Sequence, residues 1–291
     1  MMPELCEVGG GMIGVFDSGL GGLTVLKALS ERFSALSFAY LGDHANVPYG
    51  DRSSDDVVQL TRAGVERLFA LDCRLVLLGC NTATAVAART LQRNWLPQAP
   101  EWRGRNVLGI VAPTVEAATQ TPWAVTTPQY PQKHNADLVV VFGTTRTVLS
   151  NVYPEEIAKR CPNVKVVQQA CPGLVDAIEA GATTVDGIVA DACRRAMATC
   201  GDRRPDRVIL GCTHFPIIAK SFEKHLPDGV RVLSQPEAVA DSLADYLARH
   251  SEFEGGGGGE RQLTLMTTGD VPAVTQAARR IWDGVPPLMA V

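Results

Sequence analysis

The 291-residue chain has no apolar run approaching the ~18 residues that a membrane-spanning helix requires, which excludes a helical integral membrane protein. It has no Cys-x-x-Cys pair among its eight cysteines, so a zinc module is not expected. The cysteine spacing is irregular and 46% of the chain is hydrophobic, which argues against a disulfide scaffold standing in for a core. Basic charge is not in excess either. The net charge is −4, and the pairs Arg194-Arg195 and Arg203-Arg204 are short, so neither nucleic acid nor a membrane surface is an expected partner. Residues 1–11 lack the basic and apolar segments of a signal peptide. With reduced cysteines, this points to the cytoplasm.

What is present is an alternation of short apolar runs and helical patterns. Strands are predicted over Met12–Phe16, Ser37–Leu41, Leu75–Leu78, Val107–Val111, Leu138–Phe142, Val164–Gln168, Val208–Leu210, Val230–Leu233 and Leu263–Thr267. Between them lie helices such as Leu23–Arg32, Ser54 to about Ala70, Pro113–Gln120, Ala238–His250 and Val271–Trp282. Strands that are apolar throughout imply a parallel sheet covered on both faces. Thr121–Ala136, with Pro122, Pro128 and Pro131, is expected to be an exposed loop, and Gly255–Gly259 a flexible joint.

One internal near-repeat stands out. Val76-Leu77-Leu78-Gly79-Cys80-Asn81-Thr82 matches Val208-Ile209-Leu210-Gly211-Cys212-Thr213-His214 in character, position by position. Each follows an earlier strand with a polar end, Phe16-Asp17-Ser18 and Phe142-Gly143-Thr144. The fold class is therefore α/β: two pseudo-symmetric, doubly wound domains with mainly parallel sheets and an active site in the cleft between them. The first domain is expected to hold residues 1–106 and 237–291, the second 107–236. Each presents a cysteine at a strand's carboxyl end, where open α/β sheets bind ligands.

Amides of the following helix should point at such a thiol and favour thiolate, from an ordinary pKa of about 8.5. Cys73, Cys161, Cys193 and Cys200 read instead as core filler. A symmetric pair of acid–base groups suits racemisation, which removes a proton from one face of a carbon and returns one to the other. The developing carbanion needs placed dipoles, for which Ser18, Asn81, Thr82, Thr144 and Thr213 are suitable. No lysine sits in a cofactor context, so pyridoxal phosphate is not expected.

The stretch Ile13-Gly14-Val15-Phe16-Asp17-Ser18-Gly19-Leu20-Gly21-Gly22-Leu23-Thr24-Val25 resembles the N-terminal signature of the glutamate racemases. So do Pro48-Tyr49-Gly50, Cys80-Asn81-Thr82-Ala83, Gly143-Thr144 with Thr147, Cys171-Pro172, and Leu210-Gly211-Cys212-Thr213-His214-Phe215-Pro216. They occur in family order between about residue 12 and about residue 250. The resemblance implies interconversion of L- and D-glutamate without cofactor or metal, supplying D-glutamate for peptidoglycan, with a homodimer as the common assembly. It further implies that Cys80 takes the proton from D-glutamate, assisted by Asp17, and Cys212 takes it from L-glutamate, assisted by His214. Ser18, Asn81, Thr82, Thr144, Thr147 and Thr213 would hold the substrate, with Pro48, Tyr49 and Gly50 closing one side and Glu179 near it. Gly173 stands where a larger apolar residue is common, Thr145-Arg146 fills a variable pair, and the Thr121–Ala136 loop is long for the family.

Other readings exist for several residues. Asp17 could cap the following helix. His214 alone could be a satisfied core histidine. Gly19, Gly21 and Gly22 are not spaced as a dinucleotide fingerprint. Asp43-His44 has no third metal ligand in sight, and Cys171 has no counterpart in the repeat. Three rival functions differ in what they leave unexplained. Another amino-acid racemase would differ in substrate. A two-domain binding protein has no use for paired thiols, and a Cys-His hydrolase has no use for the second one.

Overall fold

The continuous apolar runs form strands buried on both faces, and the amphipathic stretches between them form the covering helices. In chain order these are β1 (Ile13–Asp17), α1 (Gly22–Arg32), β2 (Phe38–Gly42), α2 (Ser54–Ala70), β3 (Leu75–Leu78), α3 (Asn81–Thr90), β4 (Asn106–Gly109) and α4 (Val111–Thr119). There follow β5 (Leu138–Gly143), α5 (Thr145–Leu149), α6 (Val152–Arg160), β6 (Lys165–Ala170), α7 (Leu174–Ala180), α8 (Val185–Cys200), β7 (Arg207–Gly211) and α9 (Ala219–His225). The chain closes with β8 (Arg231–Leu233), α10 (Gln235–Arg249), β9 (Leu263–Thr267), α11 (Val271–Ile281) and β10 (Leu288–Ala290). This computed structural model describes residues 11–125, 127–134, 136–253 and 260–291. Cys6 and the Gly255–Gly259 joint lie outside the described residues.

Two sheets result, in the orders β10-β9-β2-β1-β3-β4 and β6-β5-β7-β8. Every strand pair within them is parallel. The order β2-β1-β3-β4 in the first sheet repeats as β6-β5-β7-β8 in the second, and the registers agree. Phe16 lies opposite Leu78, and Phe142 lies opposite Leu210. Cys80 and Cys212 each follow two residues beyond those partners, so the near-repeat in the sequence is a repeat in space.

Side chains of alternating strand positions feed separate cores. On the first sheet, Val15, Tyr40, Leu75 and Leu265 pack with α1 and α10, while Phe16, Ala39, Val76 and Leu78 pack with α2 and α3. On the second, Phe142 and Leu210 face α8 and α9, and Val141 and Ile209 face α4 and α6. Gly64 marks the closest approach of α2 to β1: a Cβ there would stand 2.1 Å from Phe16 Cε2. Caps set the helix starts. Ser53 accepts the Asp56 amide before α2, and Asp270 accepts the Ala273 amide before α11.

Two expectations are corrected. The strand predicted at Val107–Val111 spans Asn106–Gly109 and pairs with β3, so it belongs to the first sheet. The boundary read between 106 and 107 therefore cuts a strand, because an apolar run alone does not say which sheet it joins. The helix that begins at Gln235 packs on the first sheet through Val239, Leu243 and Leu247. The Thr121–Ala136 loop is largely exposed, as expected, and is tied down at Trp123. Arg160 is buried at 2% exposure, lies 3.9 Å from the Trp123 ring centroid, and donates to the Trp123 carbonyl. Among the described residues no helix is long and apolar enough to cross a membrane.

Candidate active site

At the carboxyl ends of β1 and β3 the chain leaves the first sheet through Asp17-Ser18-Gly19 and Gly79-Cys80. At the ends of β5 and β7 it leaves the second through Thr144 and Cys212-Thr213-His214. These turns face one another across a cleft of about 680 Å3, its open mouth included. Both cysteines line it, each 5% exposed. Ser18, Pro48, Tyr49, Gly50, Asn81, Thr82, Thr144, Glu179, Thr213 and His214 line it too. Among the described lining residues none is Lys or Arg, so an anionic group entering here meets hydroxyls and amides, with His214 as the one basic side chain.

On the first side, Cys80 is the N-cap of α3. Its Sγ accepts the Ala83 amide at 3.4 Å and stands 3.4 Å from Ser18 Oγ. The amides were expected to favour thiolate. Burial outweighs them and, with the Asp17 charge adding to it, pushes the Cys80 thiol up to about 12. Asp17 is fully buried. Its Oδ2 accepts the Gly19 amide at 2.9 Å, while Oδ1 is buried with no hydrogen-bond partner. Burial raises the Asp17 pKa, opposed by His214 and by the Gly19 and Gly22 amides. The N-cap of α1 is Gly21 and no side chain caps that helix, so Asp17 holds the turn at Gly19 rather than capping α1.

The second side is built differently. Cys212 Sγ lies 3.9 Å from His214 Nδ1, and His214 Nε2 lies 2.8 Å from Glu179 Oε1. Burial alone would lower the His214 pKa, but the Cys212 sulfur and Glu179 overcome it and push it up to about 10. Burial likewise works to raise Glu179, and His214 reverses the sign, so its pKa is lowered. The halves touch closely here. A Cβ on Gly21 would stand 2.4 Å from Thr213 Oγ1 and 2.5 Å from His214 Nδ1, so any larger residue there would displace those side chains.

Several expected substrate contacts are already engaged within the protein. Asn81 Nδ2 donates to Gln235 Oε1 at 2.7 Å, and Asn81 Oδ1 accepts from Tyr153 Oη at 2.6 Å. Gln235 also donates to Thr114 Oγ1 at 2.7 Å, which closes a buried network across both halves. The Asn81 side chain is therefore committed to the interior. Tyr49 Oη donates to Asp43 Oδ2 at 2.7 Å, away from the cleft that Tyr49 helps to line. Thr147 is fully buried beneath Thr82 and Thr144, at 3.4 Å and 3.0 Å from their hydroxyls, and does not line the cleft. Thr82 and Thr144 bridge the halves at 2.9 Å. Glu179 spends its carboxylate on His214.

Other features were given no site role in the sequence reading. Thr145, Asp51 and Asp176 line the mouth. His44, expected to be a polar strand end, lies with Nδ1 2.8 Å from Thr267 Oγ1, and burial lowers its pKa. Cys171 lines the cleft, its thiol pushed up to about 12 by burial and then by Cys212. The Cys171-Pro172 pair was the one signal available for that wall.

The model of a family described as Asp/Glu/hydantoin racemase matches residues 13–243. A glutamate racemase of Phenylobacterium zucineum (strain HLK1) is 48% identical over 276 residues, covering 94% of this chain and 97% of that protein. One of Caulobacter sp. (strain K31) is 46% identical over 277 residues, with the same coverage. Among solved structures, a glutamate racemase isoform from Bacillus anthracis superposes with a TM-score of 0.79 at 29% identity, covering 97% of both chains.

Proposed function

The chain belongs to the Asp/Glu/hydantoin racemase family, and from that premise we propose that it interconverts L- and D-glutamate by a two-thiol mechanism. The observation that carries this reading is the placing of Cys80 and Cys212 on one cleft, at register-equivalent ends of two related sheets. One sulfur, as thiolate, takes the α-proton from one face. The other, as thiol, donates a proton to the opposite face, and the roles exchange in reverse. Cys80 serves D-glutamate and Cys212 serves L-glutamate.

The surroundings suit those roles. A buried thiol with a pKa near 12 is a poor resting base but a strong one once its proton is gone. Asp17 stands on the Cys80 side, and Glu179 holds His214 on the Cys212 side. Ser18, Thr82, Thr144, Thr213 and the first amides of α3 supply neutral donors to the substrate carboxylates and the developing carbanion. The two sheets with their helices act as domains that close on the substrate and exclude water. The activity provides D-glutamate for peptidoglycan in the cytoplasm.

The deciding experiment is solvent deuterium incorporation at the α-carbon of each glutamate enantiomer, with no added cofactor. Formation of the opposite enantiomer carrying one α-deuterium is expected from either side. A preference for aspartate over glutamate, or no exchange, would defeat the assignment.

A further inference from the structure

Helix α11 lies beyond residue 243, where the family match ends. Its buried face, Val274 and Ala278, is fixed in the core of the first sheet. Its last turn reaches the other half of the molecule: Arg280 Nη2 donates to the main-chain carbonyl of Glu179 at 2.7 Å. Glu179 sits in the last turn of α7, where a helix leaves carbonyls without intrahelical partners. The chain satisfies two of these itself. The Gly181 amide serves Ile178 at 3.0 Å, and the Ala182 amide serves Ala177 at 2.9 Å. The Glu179 carbonyl is served by Arg280, and a cation at a helix C-terminus is favourably placed against its dipole.

The side chain of the same residue is held from the first half as well. The Leu20 amide faces the Glu179 carboxyl. A Cβ on Gly19 would stand 3.1 Å from Glu179 Oε1, so the Gly19 backbone passes close beside the carboxylate. Its remaining direction is His214 Nε2 at 2.8 Å. We propose that Arg280 is a positioning residue for the Cys212 arm: by anchoring the Glu179 carbonyl it fixes the last turn of α7, and so keeps the Glu179 carboxylate on His214 beside Cys212. This role rests on the two-thiol reading above. It makes the C-terminal helix a brace that completes the proton relay only when the halves are together.

The test compares wild type with R280A and R280K in both directions, using glutamate carrying hydrogen or deuterium at the α-carbon. Enantiomers have equal free energy in water, so any variant must change kcat/KM equally in both directions. The isotope effects are not so bound. If the Cys212 transfer is slowed, it limits both directions. Deuterium on L-glutamate, which Cys212 removes, is then felt more. Deuterium on D-glutamate, which Cys80 removes in the other transfer, is felt less. R280A is expected to lower kcat/KM about three- to tenfold, the scale of one charge-assisted hydrogen bond. The isotope effect should rise for L-glutamate and fall for D-glutamate, with R280K restoring most of the rate and an unchanged melting curve. Unchanged rates in R280A, or lower rates with both isotope effects unmoved, would overturn the role. A wild-type protein that leaves both enantiomers untouched would instead overturn the functional reading, and the positioning role with it.

Discussion

His214 and Glu179 stand 2.8 Å apart, and the contact makes the two sides of the cleft chemically unlike. The Cys212 side has a buried imidazole with an anionic partner. The Cys80 side has a hydroxyl, a helix amide and a buried carboxyl. The strand frame is symmetric, while the proton chemistry attached to it is not.

Replacing Glu179 by Gln removes the anionic partner of His214. The His214 pKa should fall from about 10. The alkaline limb of the kcat/KM–pH profile should move to lower pH, with a loss of about 10–100-fold at neutral pH. Stability should follow the same linkage. The folded-state value lies above the ordinary 6.5, so the His214 contribution is complete below about pH 6.5 and is lost as pH rises through about 10. Unfolding free energy measured across that range should decline less in E179Q than in wild type.

Cys80→Ser and Cys212→Ser should each reduce racemisation by about 10³-fold or more in both directions, because a hydroxyl is far too weak an acid to replace either thiol. Circular dichroism should show both variants folded. A C212S enzyme of undiminished activity would be incompatible with two bases.

Thr82→Val removes one member of the hydroxyl pair that spans the halves and leaves Thr144 on Thr147. Initial-rate kinetics should show KM for glutamate raised about three- to tenfold, with kcat changed less, as expected for a contact used mainly in binding.

Gln235→Leu strips partners from Asn81, Thr114 and Tyr153, all within the buried network. Leaving such groups unpaired should cost about 2–3 kcal/mol, read from the urea midpoint at constant slope. A double-mutant cycle with Asn81→Ala should show strong coupling, since the pair is in direct contact.

Features that depend on neighbouring residues were legible before any coordinates. The helix predicted from Ser54 to about Ala70 has those limits in the structure. Apolar runs became strands, and the matched cysteine motifs came to lie on one cleft. What depended on distant partners was not legible. Asn81 carries donor and acceptor groups that suit a ligand, but its partner Gln235 is 154 residues away. Glu179 read as a substrate neighbour because nothing in the sequence links it to His214. The helix amides around Cys80 suggested a lowered pKa, but the opposing term is burial, which only the packed fold supplies. The short β10 carries too few residues to show a period.

The order of the first sheet bears on how the chain can be made. A ribosome releases every strand of β6-β5-β7-β8 once Leu233 has emerged, so the middle of the chain can complete its hydrogen-bond ladder early. The other sheet must wait for β9, because β2 pairs with β1 on one side and with Leu263–Thr267 on the other. Until those residues arrive, β2 presents an open row of amides and carbonyls to any other chain nearby. A protein shortened before β9 would keep both cysteine motifs in its sequence and carry an adhesive edge along its larger sheet.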